Sequence, residues 1–169
     1  ETDELLFDLA KVGLGLLGVV VEITMRCIPA HQLVEHTFVL TRNEAKKQVN
    51  DLLNKHKHMR YMWIPYTDAV VVVTNDPVGT VPNPPTGRLA APTISEQERF
   101  QPLRDLLAEL TRDTATPMTH EMMQGMGFGE LRDALVACGE GPLSIAHIKR
   151  CNEAEAEFWR RSEGYQVNP

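Results

Sequence analysis

Residues Met59 to Thr74 read MRYMWIPYTDAVVVVT. Two runs rich in β-branched and aromatic residues, MRYMWI (Met59–Ile64) and AVVVVT (Ala69–Thr74), flank the turn-forming PYTD. Such residues suit the pleated surface of a strand, whereas Pro, Thr and Asp favour a reversal of the chain, so the stretch reads as an antiparallel hairpin. Four successive valines, Val70 to Val73, place apolar groups on both sides of the second strand, which is therefore expected to be buried on both faces. Thr67 and Asp68 read as ordinary turn residues. Tyr61, Trp63 and Tyr66 could line a pocket, but aromatic residues on strands more often belong to the core.

Working outward, QLVEHTFVL (Gln32–Leu40) is a further β-rich run, and TRNEAKKQVNDLLNKH follows it. In the latter, Thr41 and Glu44 have the spacing of a capping box, and Ala45, Val49, Leu52 and Leu53 form an apolar stripe, so the segment reads as a helix. The order β-α-β-β suits helices packed on one side of an antiparallel sheet. From Asp76 to Thr93 five of the eleven prolines cluster, which reads as a linker or insertion. Ser95 and Glu98 form a second capping box, although Pro102 would sit awkwardly inside the helix they open. GELRDALVACG and GPLSIAHIKRCNEAEAEFWRRSEGY read as two amphipathic helices broken at Gly139 to Pro142, and TPMTHEMMQGMGFG has no assignable pattern.

Upstream, ETDELLFDLAKVG puts Leu5, Leu6, Leu9 and Val12 at helical spacing with acids early, and the helix is expected to end at Gly13 or Gly15. Leu17 to Cys27 then alternates with period two, the signature of a strand, until Pro29. Gly13, Gly15 and Gly18 thus sit between helix and strand, the reverse of the strand–glycine–helix order of dinucleotide-binding turns. Either they make a plain turn, or they keep the backbone bare for a ligand lying along the amides that follow.

Composition narrows the classes. With 169 residues, 43% of them hydrophobic, and a formal charge of −6, the chain is globular and lacks the basic stripe of a nucleic-acid binder. The longest apolar stretch, Val12 to Val21, is too short to span a bilayer, so membrane association would be peripheral at most. Cys27, Cys138 and Cys151 are far apart and form neither a zinc ribbon nor a disulfide framework. His31, His36, His56 and His58 lack the Cys or Asp that would complete a metal site, and Glu153, Glu155 and Glu157 read as a solvated helix face. The chain opens on a helix in progress, without Met, and is expected to be a piece of a longer protein.

GLGLLGVVVEITMRCIP resembles the last strand of the flavin domain in flavoproteins of the vanillyl-alcohol-oxidase type. LVEHTFVL, YMWIPYTDAVVVVTNDPV and NEAEAEFWRRSEGYQV narrow the resemblance to the aldonolactone oxidase group, and within it to the L-galactono-1,4-lactone dehydrogenase family. The likeness covers most of Leu5 to Asp76 and returns from Glu130 to Val167. It implies FAD as cofactor, L-galactono-1,4-lactone as substrate, cytochrome c as acceptor, a role in ascorbate biosynthesis and a mitochondrial location on the intermembrane-space side of the inner membrane. It also implies an alternative, a non-catalytic assembly component for the membrane arm of respiratory complex I.

The resemblance favours the ligand reading of the glycines: Gly15, Leu16, Leu17, Gly18, Val19, Val20 and Val21 become the flavin-binding strip. It places the diphosphate loop before Glu1 and the catalytic Glu and Arg beyond Pro169, so no catalytic residue is assigned here. The fold class is then α+β. Residues 1–30 would be the end of a flavin-binding domain, and 31–76 the β-α-β-β start of an antiparallel-sheet substrate domain. Residues 77–95 would be a linker or insertion, and 96–169 the helical part with its flanking helices.

Overall fold

A computed structural model describes residues 3–80, 94–138 and 144–168, in two compact units, 1–30 and 31–169. The helix break expected at Gly139 to Pro142 lies outside the described residues, as does most of the Pro-rich stretch.

In the first unit, helix α1 (Glu4–Lys11) starts where the Asp3 carboxylate accepts the Leu6 amide at 3.0 Å, and it ends at Val12, slightly before the expected glycines. The strand expected over Leu17 to Cys27 does not form: among the described residues these pair with no strand. Alternation supplies a face to bury, but a strand also needs a ladder partner for its backbone groups, and the described residues offer none.

The second unit is an α+β fold built on a four-stranded antiparallel sheet. Its strands are β1 (Leu33–Thr41), β2 (His58–Trp63), β3 (Ala69–Pro77) and β4 (Gly164–Asn168), arranged in the order β2-β3-β1-β4. Helix α2 (Arg42–Lys55) connects β1 to β2. Its capping box is complete: the Glu44 amide donates to Thr41 Oγ1 at 3.2 Å, and the Glu44 carboxylate accepts the Thr41 amide at 2.8 Å. Helices α3 (Glu96–Thr111), α4 (Phe128–Ala137) and α5 (Ile145–Arg160) lie between β3 and β4. With α3 and α4 taken as an insertion, the order β-α-β-β-α-β and the strand order are those of a split β-α-β motif.

Three expectations need correction. The helices do not share one side of the sheet. Val70 and Val72 pack with Ala45 of α2, while Val71 and Val73 pack with Ala156 of α5, so β3 is covered on both faces, as its valine run requires. The last helix stops at Arg160 rather than running to Tyr165, because residues 164–168 add an edge strand to β1. Glu163 secures this junction by accepting the Val39 amide at 2.9 Å. Asp76 and Pro77 are not linker: they finish β3, opposite Val34 and Leu33.

Pro102 does sit inside α3, as its seventh residue. Proline has no N–H to give the carbonyl four residues back, which is Glu98. Arg161 fills that vacancy, donating from Nη1 to the Glu98 carbonyl at 3.1 Å. Packing supports the helix as well. Leu103 and Leu107 of α3, Leu131 and Leu135 of α4 and Cys151 of α5 are fully buried together, with Met123 filling the space beneath them from the stretch that had no readable pattern. Each such leucine contributes roughly 1.5–3 kcal/mol by leaving water.

Candidate functional site

The strip singled out from sequence begins with a tight reversal. Leu14, Gly15 and Gly18 have φ of 46, 81 and 119°, the Leu16 amide donates to the Gly13 carbonyl at 2.8 Å, and the Gly18 amide to that of Gly15 at 3.4 Å. A Cβ added at Gly15 or Gly18 would meet nothing within 4 Å, so glycine serves backbone conformation here rather than close packing. Beyond the turn the side chains lie open, Val19 being 89% and Val21 93% exposed. The amides of Leu17 and of Val19 to Val21 have no hydrogen-bond partner among the described residues. An apolar strip with free amides fits a flat heteroaromatic ring that carries acceptors along its edge, as a flavin does.

At the β2–β3 turn the two most distinctive stretches of the sequence meet. Thr67 Oγ1 donates to the Ile64 carbonyl at 2.8 Å and accepts the Ala69 amide at 3.1 Å, closing the turn from within. Asn152 of α5, buried at 3% exposure, donates to the Pro65 carbonyl at 2.9 Å. Its own oxygen accepts from Arg132 Nη2 at 2.9 Å, and Arg132 Nε donates to Glu155 at 2.6 Å. Glu155 is thus not part of a solvated face, whereas Glu153 is exposed. In physical terms, IPYTD and NEAEAEFW are two halves of one clamp.

The clamp presents Trp63 and Tyr66 to solvent, each 55% exposed, and Tyr66 adopts a φ of 63°. Only Tyr61 of the three aromatics packs inward, against the cluster of Ala45, Val70 and Val72, with a hydroxyl that is buried and unpaired. Tyr61 and Trp63, with Arg42, Ala45, Lys46 and Val49, line a depression of about 460 Å³ beside the first half of α2.

A second cavity, of about 500 Å³, lies at the other end of α2. His56 Nδ1 sits 2.6 Å from Asp76 Oδ2, and the Lys57 amide donates to Asp76 Oδ1 at 3.1 Å. His36 on β1 stacks on Tyr165 of β4, its register partner, with centroids 4.0 Å apart and planes within 7°. Burial, reinforced by the nearby His56, lowers the His36 pKa. His36 and His56 therefore share a cavity, while His58 is exposed on β2. Sequence reading missed this cluster because Asp76 was read as linker and Tyr165 as helix. Among the described residues no group of three His, Cys, Asp or Glu has the arrangement to hold a metal ion.

Known proteins match this chain along its length. The D-arabinono-1,4-lactone oxidase family matches residues 23–130. The mitochondrial L-galactono-1,4-lactone dehydrogenase of Arabidopsis thaliana is 45% identical over 175 residues, 99% of this chain and 28% of that protein. The corresponding dehydrogenase 2 of Oryza sativa subsp. japonica is 43% identical over 173 residues, again 99% and 28%. L-gulonolactone oxidase of Bos taurus is 34% identical over 77 residues, 46% of this chain and 18% of the oxidase. The chain spans about 28% of the length of the dehydrogenases it matches. With well over half of its residues matched, the chain belongs to the D-arabinono-1,4-lactone oxidase family.

Proposed function

We propose that this chain is part of a mitochondrial, FAD-dependent L-galactono-1,4-lactone dehydrogenase of ascorbate biosynthesis, with cytochrome c as electron acceptor. The observation that carries the reading is the difference between relatives: 45% identity over 99% of the chain with a dehydrogenase, against 34% over 46% with an oxidase. Residues 1–30 are assigned to the end of the flavin domain, and the sheet with its helices to the substrate domain. Bound FAD supplies the ring that accepts the hydride. The chain's own part is to bind and orient. Within Gly15 to Val21, Leu17 and Val19 to Val21 offer free amides beside an exposed apolar strip, and no residue here is assigned a catalytic role. Association with the inner membrane is peripheral in this reading; among the described residues no helix is long and apolar enough to cross a membrane.

The test uses the purified full-length protein. A visible flavin spectrum, with lactone-dependent reduction of cytochrome c outpacing oxygen consumption, is expected. Absence of flavin, or oxygen as the preferred acceptor, would overturn the reading. The 169-residue chain alone is expected to lose FAD on gel filtration, since a few neutral hydrogen bonds at about 0.5–1.5 kcal/mol each do not hold a dinucleotide.

A further inference from the structure

We propose that the β2–β3 turn and the depression beside it form a docking surface for an acidic peptide segment of another protein, one that inserts a large apolar side chain between α2 and β2. Trp63 and Tyr66 are both more than half exposed, yet both are held in place. Trp63 Nε1 donates to the Thr67 carbonyl at 3.3 Å, and Asn152 ties down the Pro65 carbonyl, so the turn is fixed with the two rings outward. Tyr66 also keeps a left-handed φ of 63°, a conformation that costs energy for a residue with a Cβ. Rings presented rigidly lose little freedom on binding, one reason why Trp, Tyr and Arg dominate the energetics of protein interfaces.

The depression has the lining of an anchor pocket. Ala45, Val49, Tyr61, Trp63 and Val70 give it apolar walls, and the exposed Arg42 and Lys46 supply its charge. Its volume of about 460 Å³ accommodates a leucine or phenylalanine side chain. A concave apolar seat of this size suits a side chain projecting from a peptide better than the flat surface of a lipid bilayer.

Charge sets the character of the partner. Asp68 is bound by Arg42 Nε at 3.1 Å, and the Glu44 carboxylate is taken up by the α2 cap. Lys46 in the depression and Lys149, whose ammonium lies 5.6 Å from the centre of the Tyr66 ring, make no ion pair among the described residues. The exposed Glu153, one turn beyond Lys149, opposes them. Two unpaired cations and the positive end of α2 outweigh that single carboxylate, on a chain whose formal charge is −6 overall. This end of the sheet unit is therefore complementary to acidic side chains flanking an apolar anchor.

Fluorescence anisotropy with the full-length protein tests the proposal. The probe is a labelled synthetic peptide of Glu, Ala and Leu with its leucines on one helical face; its counterpart with Lys for Glu and vesicles of phosphatidylglycerol are the comparisons. Saturable binding of the Glu peptide is expected, weakened by added salt and about tenfold or more by Trp63→Ala and by Lys46→Glu. Lys55→Glu, the same change at the other end of α2, should leave it unaltered. No binding of the Glu peptide, equal binding of the Lys peptide, tighter binding of the vesicles, or equal weakening by Lys55→Glu would each overturn it. A surface already covered by the rest of the full-length polypeptide would bind no peptide and count in the same way. Lys46 is exposed, so its replacement leaves the core untouched and keeps the test decisive even where Trp63→Ala does not fold. The readout needs neither flavin nor turnover, so its outcome is independent of the dehydrogenase reading.

Discussion

Strand β3 and the segment from Leu17 to Cys27 have the same kind of sequence, short, valine-rich and bounded by turn residues, yet their fates are opposite. Val71 and Val72 are fully buried, while Val19 and Val21 are almost fully exposed. β3 has a strand on each side and a helix over each face, so its backbone is paired along both edges and its four valines are buried. The upstream segment has neither within the described residues. Period-two alternation states what a segment could bury; its neighbours decide whether it does.

The sharpest way to break this comparison is to place the same charge in both regions. Val71→Asp buries a carboxylate with no counter-charge and is expected to cost more than about 4 kcal/mol, enough to unfold the sheet unit. Val21→Asp should reduce the flavin content of the full-length protein and leave the melting temperature of its flavin-free form unchanged; Gly18→Val should also reduce flavin content, with some loss of stability because valine rarely adopts the φ of 119° held at Gly18. Equal melting shifts for Val71→Asp and Val21→Asp, read by differential scanning calorimetry, would show that the upstream strip is packed after all.

The hairpin turn sharpens the contrast, since it is anchored by a remote helix and not by its own sequence alone. Asn152→Ala removes the donor to the Pro65 carbonyl and leaves Arg132 without one acceptor; a loss of about 2 kcal/mol is expected. A urea midpoint equal to that of the parent would refute the clamp.

A smaller effect is expected at the end of α5. Arg161→Ala should cost about 1 kcal/mol, and less when made in a Pro102→Ala background, where the Glu98 carbonyl regains its helical partner. Strict additivity in the double-mutant cycle would mean that Arg161 does not compensate for the proline.

The smallest effect concerns pH. His36 is held below its ordinary pKa by burial and by His56, and it faces Lys55 and His56 from α2, Asp76 from β3 and Tyr165 from β4. As pH falls below about 6.5 the unfolded chain takes up the proton before the folded chain does. Stability contributed by the neutral ring is therefore complete above that pH and is lost as pH falls through the lower, folded value. His36→Gln should flatten the dependence of melting temperature on pH between 8 and 5.5; an unchanged slope would assign the dependence to another group.

Much of the sheet unit was legible because its signals are local. The two capping boxes, the valine run and the PYTD turn each specify structure within a few residues. What escaped was set by partners far along the chain. β4 is too short to show its alternation and forms only because β1 offers an edge. Asp76 belongs to a strand although it stands at the head of a proline cluster. For the strip from Gly15 to Val21, sequence supplied the glycines and the apolar run, but the residues that would pair with it lie in no segment described here. Neither the His56–Asp76 pair nor the Asn152 clamp has a sequence signature, since each joins residues whose spacing carries no periodicity.

The bond from Arg161 to the Glu98 carbonyl also constrains how this sequence can drift. While Pro102 is present, losing the arginine leaves a carbonyl without its donor; once alanine replaces the proline, the same loss is much milder. The two positions are therefore free to change in one order and penalised in the other. Relatives that have given up Arg161 are expected to have dispensed with Pro102 first, a historical dependence written by a single missing amide hydrogen.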